Sequence, residues 1–314
     1  MNCQSCNGLT KKFGKDRNGN QRFRCLTCGK TSSEPVKRLF GRMTLDEGKA
    51  IDCLRLLVEG NSIRTIERFT GVHRDTILSI LQVAGERCEK LMEDRIQGLS
   101  VKEVQCDEVW GYVGMKEKTK SRKGVESDTL GDAWTFTAIE HHSKLILAFH
   151  LGRRTEADTI AFTEKLAHAT AGSFQVTTDG FRPYQHAIVL SLGAQSVDFA
   201  QLVKLYTADR EGEARYSPAE CTGAKKVPIY GNPDMDKVST SHIERHNLSI
   251  RMQNRRMTRL TNAFSKSWAN HNATMALYLA YYNFCRVHQT LRVTPAMEAG
   301  ITDHIWTMRE LLAA

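Results

Sequence analysis

The chain has 314 residues, 41% of them hydrophobic and 25% charged, and its formal net charge is +9. These values are those of a globular protein with room for one large domain and one or two small ones. The sequence has no run of about 18 apolar residues, which a membrane span would need. Its N-terminus also lacks the apolar segment of a secretory signal, so we expect a cytoplasmic protein.

The positive charge lies in two blocks. Residues 1–42 carry ten Lys or Arg and two acids, residues 245–297 carry eight Lys or Arg and no acid, and the rest of the chain sums to −7. Basic charge concentrated beside an acidic remainder favours contact with a polyanion. For either block alone, a solvated basic face is the alternative interpretation.

Four of the nine cysteines form two Cys-x-x-Cys pairs, Cys3/Cys6 and Cys25/Cys28, with eighteen residues between the pairs. Four thiolates at tetrahedral geometry make a closed, structural zinc site, and paired redox cysteines are the weaker alternative. The stretch between the pairs is long enough for a β-hairpin that turns at Asn18-Gly19 and continues as a strand over residues 21–24. Such a short segment needs the metal for most of its folding energy. The basic side chains of this ribbon, expected to contact DNA phosphates, are Lys11, Lys12, Lys15, Arg22 and Arg24.

Residues 44–95 are predicted to be helical. A Thr cap with acids in the first turn begins the first helix near Thr44, and Gly60 ends it. A second helix over residues 62–69 leads through Gly71 into a third that begins near Arg74, the pattern of a helix-turn-helix. Small helical bundles of other purpose give a similar pattern. The candidates to face a DNA groove are His73, Arg74, Asp75 and Ser79.

The middle of the chain alternates strand-like and helix-like runs. Strands are predicted over residues 101–110, 134–139 and 145–151, followed by a helix over 155–171 and a strand over 174–180. Three strands, a helix and a fourth strand match the ribonuclease H-like arrangement, in which acids on the first and fourth strands meet at adjacent central strands. Asp107 and Asp179 occupy those two positions.

A third acid is needed if two divalent cations are to be held, and a predicted helix over residues 241–251 supplies it. Glu244 shares one helical face with Asn247, Arg251 and Arg255, which places a carboxylate in line with cations. Any single acid is most simply a solvated surface carboxylate. Three acids at three expected places make the set credible.

Four segments carry a resemblance to a known family: residues 106–114 (CDEVWGYVG), 178–180 (TDG), 242–251 (HIERHNLSIR) and 264–267 (FSKS). They resemble the bacterial transposases typified by insertion sequence one. The resemblance covers nearly the whole chain, because that family also has an N-terminal zinc finger and a helix-turn-helix. It implies a DDE transposase whose catalytic residues and metal ligands are Asp107, Asp179 and Glu244. Residues 207–239 depart from it, since the founding member has a shorter segment or none, and the resemblance gives them no role.

The implied cofactors are a structural Zn²⁺ at the cysteines and two catalytic Mg²⁺ or Mn²⁺ ions at the carboxylates, because oxygen ligands favour Mg²⁺. Hydrolysis at an element end would expose a 3′-hydroxyl that attacks target DNA. The expected partners are therefore double-stranded DNA, as terminal inverted repeats and as target, and a second copy of the chain in a homodimer or larger assembly. The side chains expected to hold phosphates are Arg245, Asn247, Arg251, Arg255, Arg256 and Arg259.

The sequence thus predicts an α/β chain of three parts. They are a zinc ribbon over residues 1–42, a helix-turn-helix domain over 43–98, and a ribonuclease H-like catalytic domain over 99–314 with an insert around 207–239. Two other functions stay open. A junction-resolving nuclease of the same fold would share the carboxylates without recognising element ends, and a non-catalytic repressor would use only the DNA-binding parts.

Overall fold

The computed structural model describes residues 2–16, 19–33, 39–41, 43–206 and 221–314. The chain divides into two compact units, residues 1–44 and residues 45–314. In the described ranges, no helix combines the length and the apolar character that crossing a bilayer requires.

The first unit is a small antiparallel sheet in the order β1-β2-β3, with strands Thr10–Lys15, Gln21–Cys25 and Thr31–Ser33. The predicted hairpin is confirmed: β1 pairs with β2, and the turn between them holds Gly19 at φ +82°. Asn18, predicted for the same turn, lies outside the described residues. Of the strand residues only Cys25 is buried, so this unit has little apolar core to stabilise it.

Three helices open the second unit: α1 (Glu47–Val58), α2 (Ile63–Thr70) and α3 (Arg74–Arg95). The three predicted helices and the turns between them are confirmed, but the cap predicted at Thr44 is wrong, because Asp46 caps α1 by accepting from the Lys49 amide. Ser62 caps α2 by accepting from the Thr65 amide, Gly71 ends that helix in the left-handed conformation, and His73 caps α3. The long α3 packs along a C-terminal helix, so α1 to α3 belong to the same compact unit as the central sheet.

The central sheet has six strands in the order β11-β10-β9-β5-β6-β7. Its strands are β5 (Glu103–Val113), β6 (Gly131–Glu140), β7 (Ile146–Gly152), β9 (Phe174–Thr178), β10 (Val197–Tyr206) and β11 (Cys221–Tyr230). β5, β9 and β10 are parallel, whereas β6, β7 and β11 each run antiparallel to the neighbour they join. The predicted mixed α/β class is confirmed, and residues 221–230 of the predicted insert form an edge strand.

The remaining elements surround this sheet. A two-stranded pair joins β4 (Leu99–Ser100) to β8 (Thr170–Ala171). The helices are α4 (Glu117–Arg122), α5 (Glu156–Ala169), α6 (Pro183–Leu192), α7 (Ser241–Gln253), α8 (Trp268–Phe284), α9 (Pro295–Glu298) and α10 (Met308–Ala313). Twelve residues of α8 are buried, because its apolar side chains face α3 on one side and β7 on another. Helix α8 therefore belongs to the core of the second unit.

Candidate carboxylate metal centre and cysteine cluster

Asp107 and Asp179 are brought together by strand pairing. Asp107 lies in the middle of β5, and Asp179 follows the last residue of β9. The two strands are parallel neighbours, and their register pairs Cys106 with Thr178. In each case the next residue is an aspartate, so the register of the two strands places the two carboxylates side by side.

Helix α7 is held on β5 by four polar contacts, the last of which runs from Arg251 to the Trp110 carbonyl. The Gln105 side chain accepts from the amides of His242 and Ile243 at 2.9 and 3.2 Å, which holds the start of the helix. Farther along, Asn247 Nδ2 donates to Asp107 Oδ2 at 2.8 Å. The predicted face of α7 therefore does point at the strand that carries Asp107, and Asn247 orients that carboxylate.

Glu244 lies in the first turn of α7 and lines the same pocket as the two aspartates. Its carboxylate accepts from the Thr240 hydroxyl and pairs with Lys204 Nζ of β10 at 2.7 Å. The hydrogen bond to Glu244 raises the pKa of Lys204 although partial burial acts in the opposite direction. The Lys204 ammonium group therefore lies beside the Glu244 carboxylate, where a metal ion would lie if Glu244 were its ligand.

A fourth acid, Glu108, belongs to the same centre. Asp107, Glu108 and Asp179 each offer a carboxylate oxygen, and these oxygens lie within 4.8 Å of one another, whereas Glu244 is outside this group. Arg154 Nη2 bridges two of the three, at 3.4 Å from Glu108 and 3.5 Å from Asp179. The other Glu108 oxygen is buried and has no hydrogen-bond partner among the described residues.

The carboxylates repel one another in a partly buried place. Burial and then the Asp179 charge raise the pKa of Asp107 to about 7. The same two causes raise the pKa of Glu108 to about 8, although Arg154 acts to lower it. Acids in this state bind a divalent cation readily, because the cation relieves the repulsion that raised their pKa.

The pocket around these acids has a volume of about 600 Å³. Its lining combines carboxylates with three cations, Arg154, Arg182 and Lys204, and with the aromatic side chains Phe181 and Tyr206. The Arg154 guanidinium lies over the Phe181 ring at 4.1 Å and over Trp134 at 4.8 Å from the ring centroids. Two aromatic faces and two acids therefore hold this guanidinium at the pocket.

The four N-terminal cysteines also come together. Their sulfurs lie within 4.8 Å of one another, with Cys3 3.6 Å from Cys28 and Cys6 3.4 Å from Cys25. Tetrahedral zinc with bonds of about 2.3 Å separates its sulfurs by roughly 3.8 Å, so this cluster is compatible with zinc. The amide of Cys28 donates to Cys25 Sγ, and with the Thr27 amide it lowers the pKa of Cys25 to about 6.

The side chains predicted to contact DNA lie in different surroundings. Arg251 donates to the backbone carbonyls of Trp110 and Met257, and Arg256 is turned towards Ser265, where burial lowers its pKa to about 10. Those exposed to solvent are Lys11, Lys12, Arg24, His73, Arg74, Arg245, Arg255 and Arg259, while Arg22 is half-buried.

Sequence reasoning missed Glu108, which belongs to the cluster of acids, and the three pocket cations Arg154, Arg182 and Lys204. Neighbouring residues of a strand point to opposite faces, so nothing suggested that Glu108 would join Asp107. The one available signal was the acid's position within the DEVWGYVG motif. A scan against protein-family models matches no family, and a search of curated proteins finds no match. The site itself must therefore indicate the function.

Proposed function

We propose that this chain is a DNA transposase, which binds the ends of an insertion element and uses divalent metal ions to cut and join DNA strands. The observation that carries the proposal is one pocket lined by Asp107, Asp179 and Glu244. These acids lie in motifs far apart in the sequence, and they are the three that the resemblance to insertion-sequence-one transposases selects.

The strand order supports a ribonuclease H-like assignment for the catalytic part. In the series β7-β6-β5-β9-β10, β6 is antiparallel to β5, and β9 is its parallel neighbour on the other side. The first and fourth strands of the segment are therefore adjacent, as that arrangement requires of the strands that carry its acids. Fold alone does not establish chemistry, so the acids remain the main support.

The donor set fits Mg²⁺ or Mn²⁺ better than a softer ion, because all the candidate ligands are carboxylate oxygens. The buried, unpartnered oxygen of Glu108 is a further sign that a cation belongs at this place. When bound, such ions activate a water or hydroxyl nucleophile and stabilise the leaving oxygen of a phosphodiester.

The protein's own residues would prepare the site and hold the substrate. Asn247 and the Glu108 amide fix the two oxygens of Asp107, and Thr240 fixes Glu244. Arg154, Arg182 and Lys204 are cations in the lining of the pocket, suited to hold the non-bridging oxygens of a phosphate. Placing the phosphate among fixed charges accounts for most of what a protein contributes to phosphoryl transfer.

The same proposal includes the N-terminal parts. The cysteine cluster would hold one structural Zn²⁺, because all four positions are sulfurs and none is open to substrate. Helices α2 and α3, joined through Gly71, would bind DNA as a helix-turn-helix with the N-terminus of α3 at the major groove.

Cleavage by the purified protein tests the proposal. A duplex carrying the sequences that flank its coding region is incubated with Mg²⁺, next to a supercoiled plasmid. We expect nicking by the parent and none by Asp107→Asn or Glu244→Gln, with DNA binding retained in both. If both variants cut as well as the parent, the three acids are not the catalytic set.

The same assay separates the other functions. A junction-resolving nuclease would cut a four-way junction in preference to linear ends, and the same acids would be needed. A repressor would bind the flanking duplex without cutting it at any metal concentration.

A further inference from the structure

A second concavity in residues 45–314 shares no lining residue with the carboxylate pocket. Its volume is about 1240 Å³, against about 600 Å³ for that pocket. One side is formed by the turn into α2 and the first turn of α3. The other side is formed by residues 254–266, which follow α7, and by α8. We call this concavity the basic groove.

Cations from both sides line the basic groove. Arg64 and Arg74 lie on the α2–α3 side, Arg255, Arg256 and Lys266 lie opposite, and the single acid in the lining is Asp75. Arg64, Arg74, Arg255 and Lys266 are exposed, and within the described residues none of the four has an acidic partner within 4.0 Å. Unpaired cations gathered on two facing sides favour a polyanion as the ligand.

The two sides of the groove are held together by close packing. Gly60, between α1 and α2, adopts φ +80°, and a Cβ at this residue would lie 3.0 Å from the Met252 carbonyl near the end of α7. Gln82 of α3 donates to the Asn270 side chain of α8 at 3.2 Å. The groove is therefore formed before any ligand binds, which lowers the entropic cost of binding.

We propose that the basic groove binds the sugar–phosphate backbone of double-stranded DNA, as a phosphate-holding site separate from the place of cleavage. This inference rests on the proposed function, since it takes DNA as the substrate. The proposal concerns the cations of the groove, and contacts from cations to phosphates position a duplex without selecting its sequence.

Helix α7 sets the distance between the two sites. Glu244 is in its first turn, and Arg255 follows its end at Gln253. The nine steps from Glu244 to Gln253 rise about 14 Å at 1.5 Å per residue, which is roughly four base-pair steps of 3.4 Å, and Arg255 lies two residues beyond the helix. The groove would thus hold phosphates at least about four base pairs from the reacting one, for a duplex that runs along α7.

A matched pair of double variants of the full chain tests the proposal. Arg64→Gln/Arg255→Gln removes one cation from each side of the groove. As the matched control, Lys102→Gln/Arg122→Gln removes two exposed cations that do not line the groove and lie outside the segments proposed to contact DNA. Binding of a 30-base-pair fluorescent duplex and of the same single strand is measured between 50 and 200 mM salt without divalent metal.

For the groove variant we expect the slope of log affinity against log salt to fall by about 1.8, which is about 0.9 for each lost phosphate contact. The control variant should keep the parent slope, and both should keep the parent's circular dichroism and Mn²⁺ affinity. Equal losses in the two variants would overturn the groove. A loss seen only with the single strand would overturn duplex binding there.

Two further outcomes separate this inference from the proposed function. If the parent nicks DNA and the groove variant binds as the parent does, the groove is wrong and the transposase proposal stands. If the parent binds no DNA at any of these salt concentrations, both proposals fail.

Discussion

Asp107→Asn should stabilise the metal-free protein at neutral pH while it removes the metal site. The pKa of Asp107 is raised from 3.8 to about 7, so the folded protein holds its ionised form at a cost. One pKa unit corresponds to about 1.4 kcal/mol, which sets a ceiling of roughly 4 kcal/mol for this cost. Asparagine keeps the shape but not the charge. It also loses one accepted hydrogen bond, worth about 1 kcal/mol, from either Asn247 or the Glu108 amide.

The sign of the pH dependence follows from the direction of the shift. A raised carboxyl pKa costs no stability below 3.8, where Asp107 is protonated in both folded and unfolded chains. The cost grows as the pH rises from 3.8 to about 7, and it is full above that. The gain from Asp107→Asn should therefore be about 1–3 kcal/mol at pH 8 and absent or reversed at pH 4.

Thermal unfolding at pH 4 and pH 8, with and without Mg²⁺, measures this. At roughly 2–4 °C for each kcal/mol, the variant should melt several degrees above the parent at pH 8 without metal. Mg²⁺ should raise the melting temperature of the parent and leave that of the variant unchanged. Asp128→Asn, at an exposed acid, is the control, and it should neither raise the melting temperature at pH 8 nor abolish the stabilisation by Mg²⁺. A substitution effect of the same size at both pH values would refute the reasoning.

Two other predictions concern Lys204 in the carboxylate pocket and Cys25 in the cysteine cluster. Lys204→Met should raise the Mn²⁺ affinity of the DNA-free protein up to about fivefold, because an ion pair this exposed is worth about 0.2–1 kcal/mol and its ammonium group competes for Glu244. Calorimetric titration measures the Mn²⁺ affinity, with Lys102→Met, at an exposed lysine, as the control. Weaker Mn²⁺ binding by Lys204→Met would show that Lys204 does not compete with the metal for Glu244. Cys25→Ser should lower the zinc content from one ion per chain to none and make residues 1–44 sensitive to protease. The control Cys221→Ser, at an exposed cysteine, should change neither the zinc content nor the protease sensitivity. If Cys25→Ser retained its zinc, the four-cysteine site would be excluded.

Local elements were predictable because their signals are local. The helix starts near Ser62 and Arg74, the glycine at residue 71 and the alternation along β5 depend on residues within one or two turns of each other. The pairing of Cys3/Cys6 with Cys25/Cys28 was predictable for another reason. Two tight knuckles with a hairpin between them leave few other geometries.

The candidate site was predictable in part. Asp107 and Asp179 follow from the strand order together with the register, and Asn247 follows from the helical face shared with Glu244. Arg154 and Lys204 had no such signal. Each is a single basic residue at the end of a strand or in a strand, and only the packing of β7 and β10 around the pocket makes it part of the site.

The sequence by itself determined helices α1 to α3, α5 and α7, four strands of the central sheet and the three acids that the motifs mark, since periodicity and spacing are properties of the chain. Tertiary structure alone decided what surrounds those acids. Glu108 is adjacent to Asp107 in sequence, but the Arg154 that contacts it comes from beyond two further strands. The basic groove joins α2 and α3 to residues almost two hundred positions away. Charge acts through space, and no periodicity in a chain records which distant residues the fold will place within its reach.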